Sequence, residues 1–243
     1  MPYIKKTVRA GPVIEVRKTF STRFGSKGGR RSSPKNATPE KVKRMNDRYA
    51  EDKLRWLLLA NFKKGDWHLV ATYRRDARPT PEDSKALLSK FFRDLRKHFK
   101  RIGQELKYIE ATEYKNRAIH HHIIIPSCDI RPIQQFWPYG KIRPTDITDT
   151  QHLISLASYL VKETSETFRE KGGYKKRWNQ SRNLVIPEPK TEIIRVGRWS
   201  DHPKPKKGYY IDKTVGESGD GVELYENPIT GNLCQFYRMI LNE

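Results

Sequence analysis

Residues Ala118–Pro126 read Ala-Ile-His-His-His-Ile-Ile-Ile-Pro, and three of the chain's seven histidines stand in this one run. So apolar a stretch predicts a strand. Side chains alternate across a strand, so His120 and His122 share one face while His121 points to the other. At a rise of about 3.3 Å per residue their bases lie about 7 Å apart, close enough for both rings to converge on one metal ion. Ile119, Ile123 and Ile125 fall on the opposite face and predict burial there. Apolar strands seldom accept polar rings without a partner, so two histidines on one face point to metal ligation.

A carboxylate can complete such a set. Glu113 lies seven residues before His120, on a stretch that pairs with the histidine strand if Lys115-Asn116-Arg117 forms a turn. His120, His122 and Glu113 then make a mixed nitrogen–oxygen site suited to Mn²⁺ or Mg²⁺. Glu110 is the neighbouring candidate and falls on the other strand face. Further on, Tyr159 and Lys162 stand three residues apart on a predicted helix and share a face. A phenol with an ordinary pKa of about 10 is a poor nucleophile unless activated. A nearby cation stabilises the developing phenolate and balances charge on an attacked phosphate.

These residues need a scaffold. A helix is expected from Pro39, after the Thr38 cap, with Val42, Met45, Tyr49 and Trp56 at helical spacing. Trp67–Arg74 reads as a strand. Thr80-Pro81-Glu82-Asp83 starts a helix that runs to about Arg101 and buries Leu87, Leu88, Phe91, Phe92, Leu95 and Phe99, its other side being rich in Lys and Arg. Leu106–Tyr114 and Ala118–Pro126 form the hairpin, Ile142–Ile147 another strand, and Gln151–Arg169 the tyrosine helix. Short strands at Glu192–Val196, Tyr209–Asp212, Val222–Tyr225 and Leu233–Ile240 follow, punctuated by Gly and Pro. The class expected is α+β: an antiparallel sheet with the histidine strand near its middle, flanked by helices. Three segments are expected: a basic flexible extension over 1–37, a catalytic domain over 38–189 and a β-rich extension over 190–243.

Charge narrows the partner. Lys and Arg number 49 against 28 Asp and Glu, a formal +21, which favours a polyanion. Met1–Arg48 alone carries 14 of the cations and three acids. Lys175, Lys176, Arg177, Trp178 and Arg182 combine cations with an aromatic ring, as single-stranded nucleic acid requires. Arg30 and Arg31 are candidates for backbone or minor-groove contact. No stretch of about 18 apolar residues and no secretory signal occur, so membrane association is not expected. No GxxxxGK[ST] run exists to bind a nucleotide. Cys128 and Cys234, the only cysteines, form no CxxC, which fits a reducing cytoplasm.

Taken in order, the Leu69–Tyr73 strand, Glu113 before a turn, His120-His121-His122 and Tyr159-x-x-Lys162 resemble the HUH endonucleases of rolling-circle replication, specifically the single-tyrosine Rep class of bacterial mobile elements. Met45–Phe62 and Lys175–Leu184 extend the resemblance, which covers about Thr38–Pro189. It implies a site-specific endonuclease and strand transferase. Tyr159 would attack single-stranded or hairpin origin DNA, leaving a 5′-phosphotyrosine link and a free 3′-OH; His120, His122 and Glu113 would hold the metal, and Lys162 would assist. His152 and Glu163 are further candidates to point into the site. Where two-tyrosine relatives place a first tyrosine this chain has Ser155, and the central residue of the triplet, usually apolar, is His121. Lacking a motor, such a protein depends on a host helicase. A single-tyrosine transposase or relaxase would share this chemistry, and a non-catalytic nucleic-acid-binding module would share the charge.

Overall fold

The computed structural model describes residues 3–20, 38–115, 118–169, 176–195 and 199–242. In chain order the elements are β1 (Tyr3–Ala10), β2 (Val13–Phe20), α1 (Pro39–Asn61), β3 (Trp67–Thr72), α2 (Pro81–Arg101), β4 (Ile109–Glu113), β5 (His120–Ile125) and α3 (Ile130–Gln135). They continue as β6 (Ile142–Asp146), α4 (Thr150–Glu163), α5 (Ser165–Arg169), β7 (Asn179–Gln180), β8 (Lys190–Ile194), β9 (Tyr209–Ile211), β10 (Val222–Glu226) and β11 (Leu233–Leu241). All strand pairings in both sheets are antiparallel, so the fold is α+β, as expected.

The chain divides into two compact units, one of residues 1–60 with 186–243 and one of residues 61–185. The boundaries expected from the sequence lie at 37/38 and 189/190. In the first unit the sheet runs β10-β11-β2-β1-β8, with β9 also on β11. Residues 3–20, expected to be part of a flexible basic extension, form two of its inner strands. The physical reason lies in alternation and a turn. Val8 and Ala10 are buried on the face that carries Val13, while Ile14 and Val16 are buried on the other, and Gly11 turns the chain between the strands at φ +53°. A Cβ at Gly11 would sit 2.1 Å from the Leu59 carbonyl oxygen, so only glycine fits.

The cations of these strands are absorbed by the fold. Glu15 on β2 accepts from Arg55 (2.6 and 2.9 Å), the Trp56 indole (2.7 Å) and Arg238 (3.0 Å). Arg17 donates to Asp52 at 2.8 Å. Burial alone would raise the Glu15 carboxyl, but Arg55, Arg238 and the Trp56 hydrogen bond outweigh it and hold the group at about 2.

The second unit holds the sheet β6-β3-β5-β4-β7, with the histidine strand in the middle. Thr80 caps α2 through Asp83 N, as its sequence predicts. Leu88, Phe91, Leu95 and Phe99 of α2 join Leu69, Ala71, Ile123 and Ile125 in one core, which fixes α2 to the face of β5 that carries His121. The expected single helix over 151–169 breaks at Thr164, whose hydroxyl bonds back to the Leu160 carbonyl at 2.7 Å. Thr167 of α5 then accepts from the Tyr114 backbone N–H at 3.2 Å, tying the helix pair to the end of β4. At the base of the unit Asn61 donates to the Val185 carbonyl and accepts from its N–H, both at 2.8 Å.

Candidate active site

Register decides which side chains meet. Glu113 pairs with His120, and Ala111 and Val70 flank His122 on its two sides. Directly opposed residues share a face, so Glu113, His120 and His122 stand on the side of the sheet away from α2. His120 Nε2 lies 3.2 Å from Glu113 Oε2, and the His120 and His122 ring centroids are 4.9 Å apart. α4 brings Tyr159 to the same place: its ring stands edge-on to His122 with centroids 5.4 Å apart. Tyr159 remains 38% exposed.

Hydrogen bonding constrains the tautomers. His120 Nδ1 is 2.8 Å from the Ala118 carbonyl, which can only accept, so Nδ1 carries the proton. Its Nε2 then presents a lone pair beside the Glu113 carboxylate, an arrangement in which both can turn to one cation. Backbone-anchored imidazoles of this kind are typical metal ligands. His122 Nδ1 is 3.1 Å from His68 Nε2 on β3. Burial, with the nearby His152 adding to it, pulls His68 down to about 4, so this imidazole is neutral at physiological pH. If His122 donates Nδ1–H to His68, its Nε2 presents a lone pair. Among the described residues no three His, Cys, Asp or Glu side chains are already gathered as a complete metal cage. The donor set of two imidazoles and a carboxylate nevertheless suits a hard or borderline divalent cation.

His121 has a separate role on the other face. Tyr73 donates its hydroxyl to His121 Nε2 at 2.8 Å, and His121 Nδ1 donates to Thr112 Oγ1 at 2.8 Å. The Thr112 hydroxyl donates in turn to Glu110, which also accepts from Asn179 at 2.8 Å. The proton directions follow from the end: a carboxylate accepts, so Thr112 spends its hydrogen there and must accept from His121. Glu110 therefore belongs to this chain, on the side of the sheet away from His120.

Of the other expected residues, Lys162 is exposed one turn beyond Tyr159, and Glu163 is half-buried at the end of α4. His152 sits in the first turn of α4, its ring accepting from the Thr148 N–H at 3.3 Å. Lys176 and Arg182 are exposed. Arg177 lies over the Phe168 ring at 4.7 Å, and the Trp178 indole donates to Gln180 at 3.0 Å beside the β4 edge. Arg30, Arg31 and Lys175 lie outside the described residues. Sequence reasoning missed His68. Its alternation with Val70 puts it on the β3 face that meets His122, but that is visible only once the β3–β5 register is known.

In this α+β unit α4 presents a tyrosine to a hairpin whose two strands carry a carboxylate (β4) and the histidines (β5). Residues 66–168 match the family model of the replication-associated protein ORF2/G2P, consistent with a rolling-circle replication initiator. That match bears out the resemblance drawn from the sequence and falls within the second unit. No curated protein and no solved structure matches the chain. Among the described residues no helix is long and apolar enough to cross a membrane.

Proposed function

We propose that the chain nicks and rejoins single-stranded DNA through a 5′-phosphotyrosine link, initiating rolling-circle replication. The observation that carries this reading is the approach of Tyr159 to His122, 5.4 Å between ring centroids, beside the His120–Glu113 pair. The Tyr159 oxygen attacks the scissile phosphorus, the bond from phosphorus to the 3′ oxygen breaks, and the phenol proton leaves to solvent while the 3′ oxygen gains one. Lys162, one helical turn away, stabilises the charge that develops on the phenol oxygen and phosphate. His120, His122 and Glu113 would hold one divalent ion, Mn²⁺ or Mg²⁺, which supplies positive charge to the scissile phosphate. The free 3′-OH primes synthesis, and the bound 5′ end waits to be rejoined.

Arg30, Arg31, Lys175, Lys176, Arg177, Trp178 and Arg182 guide the strand by charge and stacking. The substrate is single-stranded or hairpin origin DNA, unwound by a host helicase in the bacterial cytoplasm. The test is incubation with single-stranded DNA from the protein's own replicon and Mn²⁺, followed by denaturing electrophoresis. A covalent protein–DNA band is expected from wild type and none from Tyr159→Phe. A band that persists in Tyr159→Phe refutes the nucleophile; no band from wild type on any origin strand refutes nicking.

A further inference from the structure

We propose that the outward face of α2 is a docking surface for the backbone of double-stranded DNA. The inference rests on the reading that the second unit acts on DNA, and it gives that unit a second place to hold it. Lys90, Arg93, Arg96, Lys97, Lys100 and Arg101 are all exposed on α2. Between Ser84 and Arg101 the only acid is Asp94, itself half-buried. Lys85 pairs with Glu82 in the first turn, but among the described residues no carboxylate pairs with Lys90, Arg93, Lys97 or Lys100.

Cations in the last turn of a helix complement its dipole, which accounts for Lys100 and Arg101. It does not account for Lys90 and Arg93, two to three turns earlier. Spacings of three and four place Lys90 beside Arg93, Arg93 beside Lys97 and Lys97 beside Lys100, and like charges at those spacings repel. A polyanion laid along the row relieves that repulsion. From Lys90 to Lys100 the helix rises about 15 Å, the rise of about four base pairs at 3.4 Å each.

Two observations select duplex over single strand. The aromatics of α2 (Phe91, Phe92 and Phe99) are buried in the core, so the exposed face offers charge without a stacking platform for unpaired bases. The helix also covers the His121 face of the sheet, whereas Tyr159 meets the His122 face. The strand under attack and the occupant of α2 therefore lie on opposite sides of β5, as duplex flanking a single-stranded cleavage site would.

The test compares the full chain with a variant carrying Lys90→Gln, Arg93→Gln, Lys97→Gln and Lys100→Gln. A control loses the same charge at four exposed lysines of the other unit: Lys204→Gln, Lys206→Gln, Lys207→Gln and Lys213→Gln. Binding of a labelled random-sequence duplex is followed by anisotropy across a salt series. Without these four cations two to four phosphates go unneutralised, so the slope of log affinity against log salt should fall by roughly 2 to 4, and affinity at 0.15 M salt by roughly 30-fold or more. The control should change the slope by less than about 1, and the α2 variant should lose far less affinity for a single strand. Adduct formation on a short single-stranded oligonucleotide should match wild type. An unchanged slope would overturn the proposal and point to an acidic protein as occupant. Equal losses in the control, or on single strands, would overturn it as well. The duplex measurement decides this proposal even if wild type forms no adduct, an outcome that would refute nicking alone.

Discussion

Replacing His121 by Ala should damage stability while sparing the chemistry, dividing the histidine triplet by function. The His121 ring is fully buried and joins Tyr73 to Thr112 through two hydrogen bonds of 2.8 Å. Its removal leaves each partner short of a bond, at about 1–3 kcal/mol apiece, and opens a cavity beneath α2 that adds to the loss. The expected total is about 3–5 kcal/mol. With a urea m-value of about 2 kcal/mol/M, the unfolding midpoint should fall by roughly 1.5–2.5 M. Tyr159→Phe removes one hydroxyl from a half-exposed ring and should move stability by less than about 0.5 kcal/mol. Urea titrations followed by tryptophan fluorescence measure both, and adduct assays at low temperature report the chemistry of the folded fraction. His121→Gln, which retains a donor and an acceptor, should recover part of the loss. A midpoint for His121→Ala within about 0.5 M of wild type would show that the Tyr73–His121–Thr112–Glu110 chain does not hold the sheet together.

Three further outcomes are expected. His120→Ala and His122→Ala should each weaken Mn²⁺ binding by at least about 10-fold in calorimetry and abolish metal-dependent adduct formation; unchanged Mn²⁺ affinity would remove them as ligands. The Glu15 carboxyl, at about 2 in the fold against an ordinary 4.5, contributes stability that is present above pH 4.5 and lost as pH falls toward 2. That contribution is on the order of 3 kcal/mol, and Glu15→Gln should flatten this part of the acid-unfolding curve. Gly11→Ala would drive a Cβ against the Leu59 carbonyl at a positive φ; a loss of about 2 kcal/mol or more in chemical denaturation is expected, and a neutral result would mean that the turn relaxes freely.

The second unit was largely legible because its signals are local. The Thr80 cap, the apolar stripe of α2 and the alternation around His120–Ile125 each lie within one element, and β4 and β5, neighbours in sequence, pair with each other. The first unit was not. Lys5, Lys6, Arg9, Arg17 and Lys18 read as a solvated tail, yet they sit on strands that pair with β8 and β11 near the other end of the chain. Arg17 is neutralised by Asp52, and burial together with the nearby Arg17 lowers Lys6. Neither partner is visible from the residues around them. In the site, the pairing of Glu113 with His120 and the separation of Glu110 followed from strand parity. The approach of His68 to His122 depended on a cross-strand register that parity alone does not fix.

The two hydrogen bonds between Asn61 and Val185 have a consequence for how such a chain is assembled and altered. The segment that carries Tyr159 departs from and returns to a single point, so it can be gained, lost or exchanged in one genetic event without stretching the chain on either side. On the ribosome it is complete when Val185 emerges, and it can fold at once. β1 and β2, made before this segment, must wait for β11, made after it, before their sheet can close.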